Sequence, residues 1–246
     1  MVGLGTVINV AAIVVGGTAG ALVGSRISRR FQETLHAACA VAVMFVGIAG
    51  AMQGMLAVVG GEPAGPTLEA GRTLLVVLSL VLGALMGEAL DLHTGIMTVG
   101  EWLRRRTGSV SDSRFTDAFV TASVTVCVGA MAVVGAIEDG LSGDYSVLTV
   151  KAVLDLVIVL AMAASMGRGC VFSAIPVALF QGFFTATAVL IKPVMTPEAL
   201  ANLSTVGSVL IFCVGLNLLW PGRIKVANLL PAIAIAPAAA LLPLSL

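Results

Sequence analysis

What most constrains this chain is the recurrence of long apolar runs that hold almost no acid or base. Stretches free, or nearly free, of Lys, Arg, Asp and Glu occupy about Gly3 to Gly24, Ala37 to Val59, Thr73 to Gly87, Ala118 to Ile137, Val147 to Met166, Cys170 to Ile191, Leu200 to Trp220 and Val226 to Leu244. A helix that satisfies its own backbone hydrogen bonds crosses about 30 Å of hydrocarbon in roughly 20 apolar residues. The runs therefore predict an all-α, polytopic transmembrane helix bundle of about eight spans, or seven if the last run, interrupted by Pro231, Pro237 and Pro243, does not cross. The third run is short unless it continues through Leu92. With 59% hydrophobic and 11% charged residues, against about a quarter charged in soluble domains, the chain needs lipid as its solvent. Residues 1–246 are expected to form a single transmembrane domain, with membrane lipids as partners.

Net charge is zero, so nothing argues for a nucleic-acid partner. The distribution of charge is more telling. Arg26, Arg29, Arg30, Arg104, Arg105, Arg106, Arg114, Arg168, Arg223 and Lys225 fall in or beside alternate loops, and only Arg72, Lys151 and Lys192 elsewhere. The positive-inside rule then puts those loops in the cytoplasm and both termini outside. No basic region precedes the first run, so the first helix is expected to stay.

Leu92, Ile96, Val99 and Leu103 recur at helical spacing beside Trp102 and the triple arginine, which reads as one interfacial helix on the cytoplasmic leaflet. Phe45-Val46-Gly47, Cys127-Val128-Gly129 and Cys213-Val214-Gly215 are similar tripeptides, and the second and seventh spans that hold two of them point in opposite directions. This suggests an inverted repeat, with segments 1–95 and 168–246 related around a central 96–167. Ala12, Gly16, Gly20 and Gly24 stack on one face of the first span, and Gly83 and Gly87 repeat the spacing. Such faces serve close helix packing or homo-oligomer contact.

Asp155 is the residue most in need of explanation. It lies near the middle of the fifth span, where a carboxylate costs about 2.5 to 3.5 kcal/mol, with Lys151 one turn away at a spacing that permits a salt bridge. Between the fourth and fifth spans, Glu138, Asp139, Ser142 and Asp144 supply oxygen groups at the outer face, suited to drawing in a cation without matching a known metal loop. Glu88 and Asp91 lie three apart at the inner end of the third span, with His93 beyond, and offer a proton relay or ordinary helix-end carboxylates. Asn9, Gln53, Gln181, Asn217 and Asn228 are amides in or at the ends of spans, and each needs a hydrogen-bond partner in hydrocarbon. The scattered Cys39, Cys127, Cys170 and Cys213 lack the spacing of a zinc or redox site. No nucleophile triad, zinc-protease, P-loop or dinucleotide pattern occurs, so neither an enzyme nor a cofactor is expected.

Several stretches taken together resemble the YdfK/YqgA-type family of bacterial inner-membrane proteins, defined by a domain of unknown function. They are Gly5-Thr-Val-Ile-Asn9-Val, Gly87-Glu88 with Asp91, Cys127-Val-Gly-Ala-Met131, Asp139-Gly-Leu-Ser-Gly-Asp144, Lys151 with Asp155, Phe172-Ser-Ala-Ile-Pro176 with Gln181-Gly182, Val214-Gly-Leu-Asn217, and Val226-Ala-Asn228-Leu-Leu-Pro231. The resemblance implies a polytopic inner-membrane protein suspected of transport, without an established substrate. Read together, the residues lead to a secondary transporter or channel for a small cation or small solute, centred on Asp155 and Lys151. The alternative is a structural or regulatory membrane scaffold that oligomerises through its glycine faces.

Overall fold

A computed structural model describes residues 2–59, 67–70, 72–110, 112–127 and 129–241. The chain folds as a helical bundle: α1 (Leu4–Gly24), α2 (Arg29–Met55), α3 (Thr73–Ala89), α4 (Leu92–Arg106), α5 (Phe115–Cys127), α6 (Ala130–Ser142), α7 (Ser146–Met166), a 3-10 turn (Arg168–Ser173) leading into α8 (Ala174–Ala186), then α9 (Ala188–Ile191), α10 (Pro197–Leu219), α11 (Val226–Leu229) and α12 (Ala232–Ala239). Among the described residues, five helical stretches are long and apolar enough to cross a membrane, or up to seven if two bent pairs each count as one span. Many large apolar side chains of the long helices face outward, among them Val7, Leu22, Phe45, Leu85, Val153 and Leu179. Lys151 and Asp155, by contrast, are buried. Apolar groups outside and charge inside is the distribution a hydrocarbon solvent selects, and the protein is a membrane protein.

Three expectations need correction. The fourth run is not one straight helix: α5 and α6 meet at a bend of 62°, where Gly129 takes φ 151°, a conformation open to glycine because it has no Cβ. Val128 lies outside the described residues. α6 then continues through Ser142, so Glu138 and Asp139 belong to a helix and not to a loop. The second run ends early: α2 stops at Met55, and Leu56–Val59 forms an antiparallel strand paired with Thr67–Ala70, from Leu56↔Ala70 to Val59↔Thr67. The last run, which its prolines set apart, is broken into α11 and α12 at Pro231, which cannot donate the backbone bond a continuous helix requires; Pro243 lies outside the described residues. As the spacing of Leu92, Ile96, Val99 and Leu103 predicts, the amphipathic stretch after α3 is a helix of its own, α4, set at 60° to α3. Asp91 makes the bend by adopting φ 45°, a left-handed conformation that Asp tolerates better than most side chains.

Small residues decide which helices touch. α1 lies against α7 with Gly16 over the Leu156 carbonyl, Gly20 over that of Leu160 and Gly24 over that of Ala164. Both series ascend, so the two helices run parallel. Gly83 meets Ala232 and Gly87 meets Asn228, which sets α11 and α12 antiparallel to α3. The glycine faces offered for oligomer contact are thus spent inside one chain. Between lipid-exposed helices, where water exclusion drives nothing, this close approach supplies the dispersion contact that holds them together.

The α2–α10 pair has an internal regularity. Gly47 packs on the Phe212 amide and the Ser208 carbonyl, while Gly215 packs on the Met44 amide and the Ala40 carbonyl. Each residue of the first contact stands 168 positions from its equivalent in the second: Gly47 and Gly215, Met44 and Phe212, Ala40 and Ser208. The N-cap residues of the two helices, Ser28 and Thr196, keep the same separation. At the second of these caps, the Ala199 amide donates to Thr196 Oγ1 at 3.1 Å and Pro197 occupies the first turn, both favourable at a helix start.

Candidate functional site

α7 carries its charge on the face turned into the bundle. Lys151 and Asp155 are 7% and 4% exposed, and Lys151 Nζ donates to Asp155 Oδ2 at 2.5 Å. The same ammonium donates to the Val126 carbonyl at 2.8 Å. That carbonyl belongs to the last turn of α5, where the bend into α6 leaves acceptors without helical partners. A cation at a helix C-terminus also meets the negative end of the helix dipole. The break in the spanning helix and the buried ion pair therefore form one structure. The Asn9 carboxamide of α1 stands beside the Asp155 carboxyl, yet neither Asn9 Nδ2 nor Oδ1 completes a hydrogen bond.

In the acidic stretch before α7, Asp139 is turned into the bundle and not to the outer face. Asp139 is fully buried, and its carboxylate accepts from the Gly3 amide at 3.1 Å and the Gly5 amide at 3.0 Å. It caps α1 across the bundle, placing a negative charge at the positive end of that helix. Gly5 suits this contact because an added Cβ would press on Leu148 and on Asp139 itself. Asp144 is exposed and accepts from the Ser146 amide and hydroxyl at 2.9 and 2.6 Å, at the start of α7; these bonds hold its carboxyl below the ordinary range. Ser142 donates to the Glu138 carbonyl. Among the described residues no three His, Cys, Asp or Glu side chains gather as metal ligands would.

Replacing Asp139 with alanine is therefore expected to cost about 1 to 3 kcal/mol, the usual penalty for buried amides left without an acceptor. Asp139→Asn, which keeps one carbonyl oxygen, should cost less. Thermal unfolding midpoints in detergent rank the two; equal midpoints for Asp139→Ala and the unmodified protein would contradict the cap.

The remaining candidates lie apart from the ion pair. Glu88 accepts from Lys225 Nζ at 2.8 Å and from Asn228 Nδ2 at 2.5 Å, and Asn228 Oδ1 accepts from the His93 amide at 2.7 Å. This group pins the α3–α4 bend to α11, and the hydrogen bond to Glu88 holds the Lys225 ammonium above its usual range. Asp91 forms the bend and has no capping bond from its side chain. Asn217 Oδ1 accepts from the Ile224 amide at 3.3 Å, closing the turn after α10. Gln181 on α8 is fully buried with both amide atoms unpartnered, as are the hydroxyls of Thr6 and Thr185. The two threonines were not singled out from the sequence. An apolar cavity of about 650 Å³ lies among α5, α6, α8 and α12, bounded by Phe119, Cys127, Phe180, Phe184 and Ile233. Neither Lys151 nor Asp155 lines it.

No solved structure matches the chain. Among curated proteins it is similar to "Uncharacterized protein YqgA" of Escherichia coli (strain K12), 29% identical over 237 residues, covering 95% of this chain and 94% of that one. It is also similar to "Uncharacterized membrane protein YdfK" of Bacillus subtilis (strain 168), 24% identical over 233 residues, covering 95% and 93%. The family described as "Protein of unknown function (DUF554)" matches residues 4–241, and with nearly the whole length accounted for, the chain belongs to that family.

Proposed function

We propose that the protein is a small secondary transporter or channel for a cation or small solute in the bacterial inner membrane, with both termini outside the cytoplasm and Asp155 and Lys151 at its centre. The observation that carries this reading is the buried ammonium joining Asp155 to the open carbonyl end of α5. Interrupted helices whose free ends meet charged groups at mid-depth are how many transporters bind ions. Protonation of Asp155, or a cation on it, weakens its hold on Lys151. The ammonium is then left to the Val126 carbonyl alone, and the α5–α6 bend is released to repack, so that ligand binding selects between two arrangements. In this reading the structure is the occluded form, and catalysis plays no part.

The 168-residue correspondence supports the same proposal. If α1 and α2 are repeated, inverted, as α8 with α9 and α10, then Phe180 and Phe184 stand where Ala12 and Gly16 stand in the first half. Small residues let α1 close on α7, whereas at the corresponding positions of α8 the two rings line the apolar cavity. A bundle built of inverted halves with unequal packing has the means to open on one side at a time.

The near-complete burial of the pair favours a second reading, a scaffold in which Lys151 and Asp155 merely tie helices together. Flux separates the two. In proteoliposomes, Asp155→Asn should abolish ion- or proton-coupled uptake while the protein remains monodisperse and folded. Undiminished flux in that variant would leave the scaffold standing.

A further inference from the structure

We propose that Thr6, Asn9, Gln181 and Thr185 line a water-filled seam between α1 and α8, running from the membrane face where α1 begins to Asp155. The proposal rests on the reading of Asp155 as a binding group and adds the route by which water, and protons through it, reach that group.

The register of the two helices places these residues together. Gly17 of α1 packs on the backbone of Val171, just before α8. At the other end, Gly140 packs on the Thr185 carbonyl, while its neighbour Asp139 accepts from the Gly3 and Gly5 amides. α1 and α8 are therefore antiparallel, with Thr185 level with the start of α1 and Val171 level with Gly17. Between those two points Gln181 falls at a depth between Thr6 and Asn9.

All four side chains are at most 9% exposed, and all six of their polar atoms lack a partner: Thr6 Oγ1, Asn9 Nδ2 and Oδ1, Gln181 Nε2 and Oε1, and Thr185 Oγ1. Most other buried hydroxyls in the described helices solve the problem locally. Ser123, Thr125, Ser165, Ser173 and Thr205 each donate to a carbonyl three or four residues back. Six of the nine buried side-chain atoms without a partner among the described residues thus lie along one helix pair, the others being Ser79 Oγ, His93 Nδ1 and Arg104 Nε.

The mixture of atoms identifies the occupant. A bare cation would satisfy the oxygens and strand both amide NH₂ groups; an anion would do the reverse. Water donates and accepts, and buried water with two to four polar partners is the usual way such groups are satisfied. The seam ends at Asn9, beside the Asp155 carboxyl, which gives a charge buried on α7 a wet approach.

Accessibility of single cysteines tests this without reference to flux. In a background lacking Cys39, Cys127, Cys170 and Cys213, cysteine is placed by Thr6→Cys, Asn9→Cys or Gln181→Cys, and by Ile13→Cys as a fully buried control one turn deeper on α1. Sealed vesicles are exposed to Ag⁺ from one side, and the thiols left unreacted are counted by maleimide labelling after denaturation. The three seam positions should react at least tenfold faster than Ile13→Cys, and only from the face where α1 begins. Rates equal to the control would overturn the seam. Adding Asn9→Leu and Gln181→Leu to Thr6→Cys removes the polar lining without removing volume; its Ag⁺ rate should drop to the control level at an unchanged thermal midpoint, and an undiminished rate would equally overturn it. A reactive seam together with full flux in Asp155→Asn sinks the transport reading alone, and an unreactive seam with lost flux sinks the seam alone.

Discussion

Gly20→Leu should be among the most damaging single substitutions in the chain, lowering stability by about 3 kcal/mol or more, the upper end of what overpacking costs. A Cβ at Gly20 would overlap the Leu160 carbonyl oxygen, and at Gly16 or Gly24 it would lie 2.5 Å from the carbonyl of Leu156 or Ala164. Those oxygens belong to helix backbone and cannot swing aside as a side chain would. The substitution must push α1 off α7 along its length, and with it the Asn9 face that borders Asp155. Gly182→Ala is the control: nothing lies within 4 Å of its would-be Cβ, and alanine in a helix interior gains about 0.5 to 1 kcal/mol over glycine. Thermal midpoints of the purified protein in detergent decide the matter. A Gly20→Leu midpoint within error of the unmodified protein would mean that α1 and α7 are not packed through this face.

The parts of this fold legible in the sequence are those that depend on one helix at a time. Apolar length locates α1, α7 and α10, because a helix in lipid has no other partner for its backbone. The four-residue spacing of Lys151 and Asp155 is enough to expect their bond, and the stacked glycines announce close packing. What they pack against is a tertiary fact: the same face suits a helix of its own chain or of a second copy, and here α7 fills it. The bends were hidden for a different reason. Gly129 sits in an unbroken apolar run and Asp91 resembles an ordinary helix-end acid, so neither shows its φ in composition. Asp139 misled because its carboxylate answers amides 134 and 136 residues away; nothing local distinguishes a cross-bundle cap from a vestibule acid. Thr6 and Thr185 carry no mark in the sequence, since threonine in a span normally bonds its own helix, and only the neighbours reveal that these two do not.

Lys151→Met should destabilise the protein by about 3 to 5 kcal/mol, because it leaves the Asp155 carboxylate buried with no countercharge. Asp155→Leu in the unmodified background strands the ammonium in turn, though Lys151 keeps the Val126 carbonyl and the loss should be smaller. The informative protein is the double variant, Lys151→Met with Asp155→Leu. Removing both charges together abolishes both desolvation penalties, and apolar replacements of similar size at buried ion pairs are often neutral or stabilising by 1 to 4 kcal/mol. The double variant should therefore recover the unmodified thermal midpoint or exceed it, with a large coupling energy in the cycle. A chain that gains stability when its central pair is removed holds that pair at a cost, and a scaffold has no use for one. If the double variant is instead as unstable as Lys151→Met, the pair contributes to folding through the α5–α6 bend, and the structural reading gains the weight that transport loses.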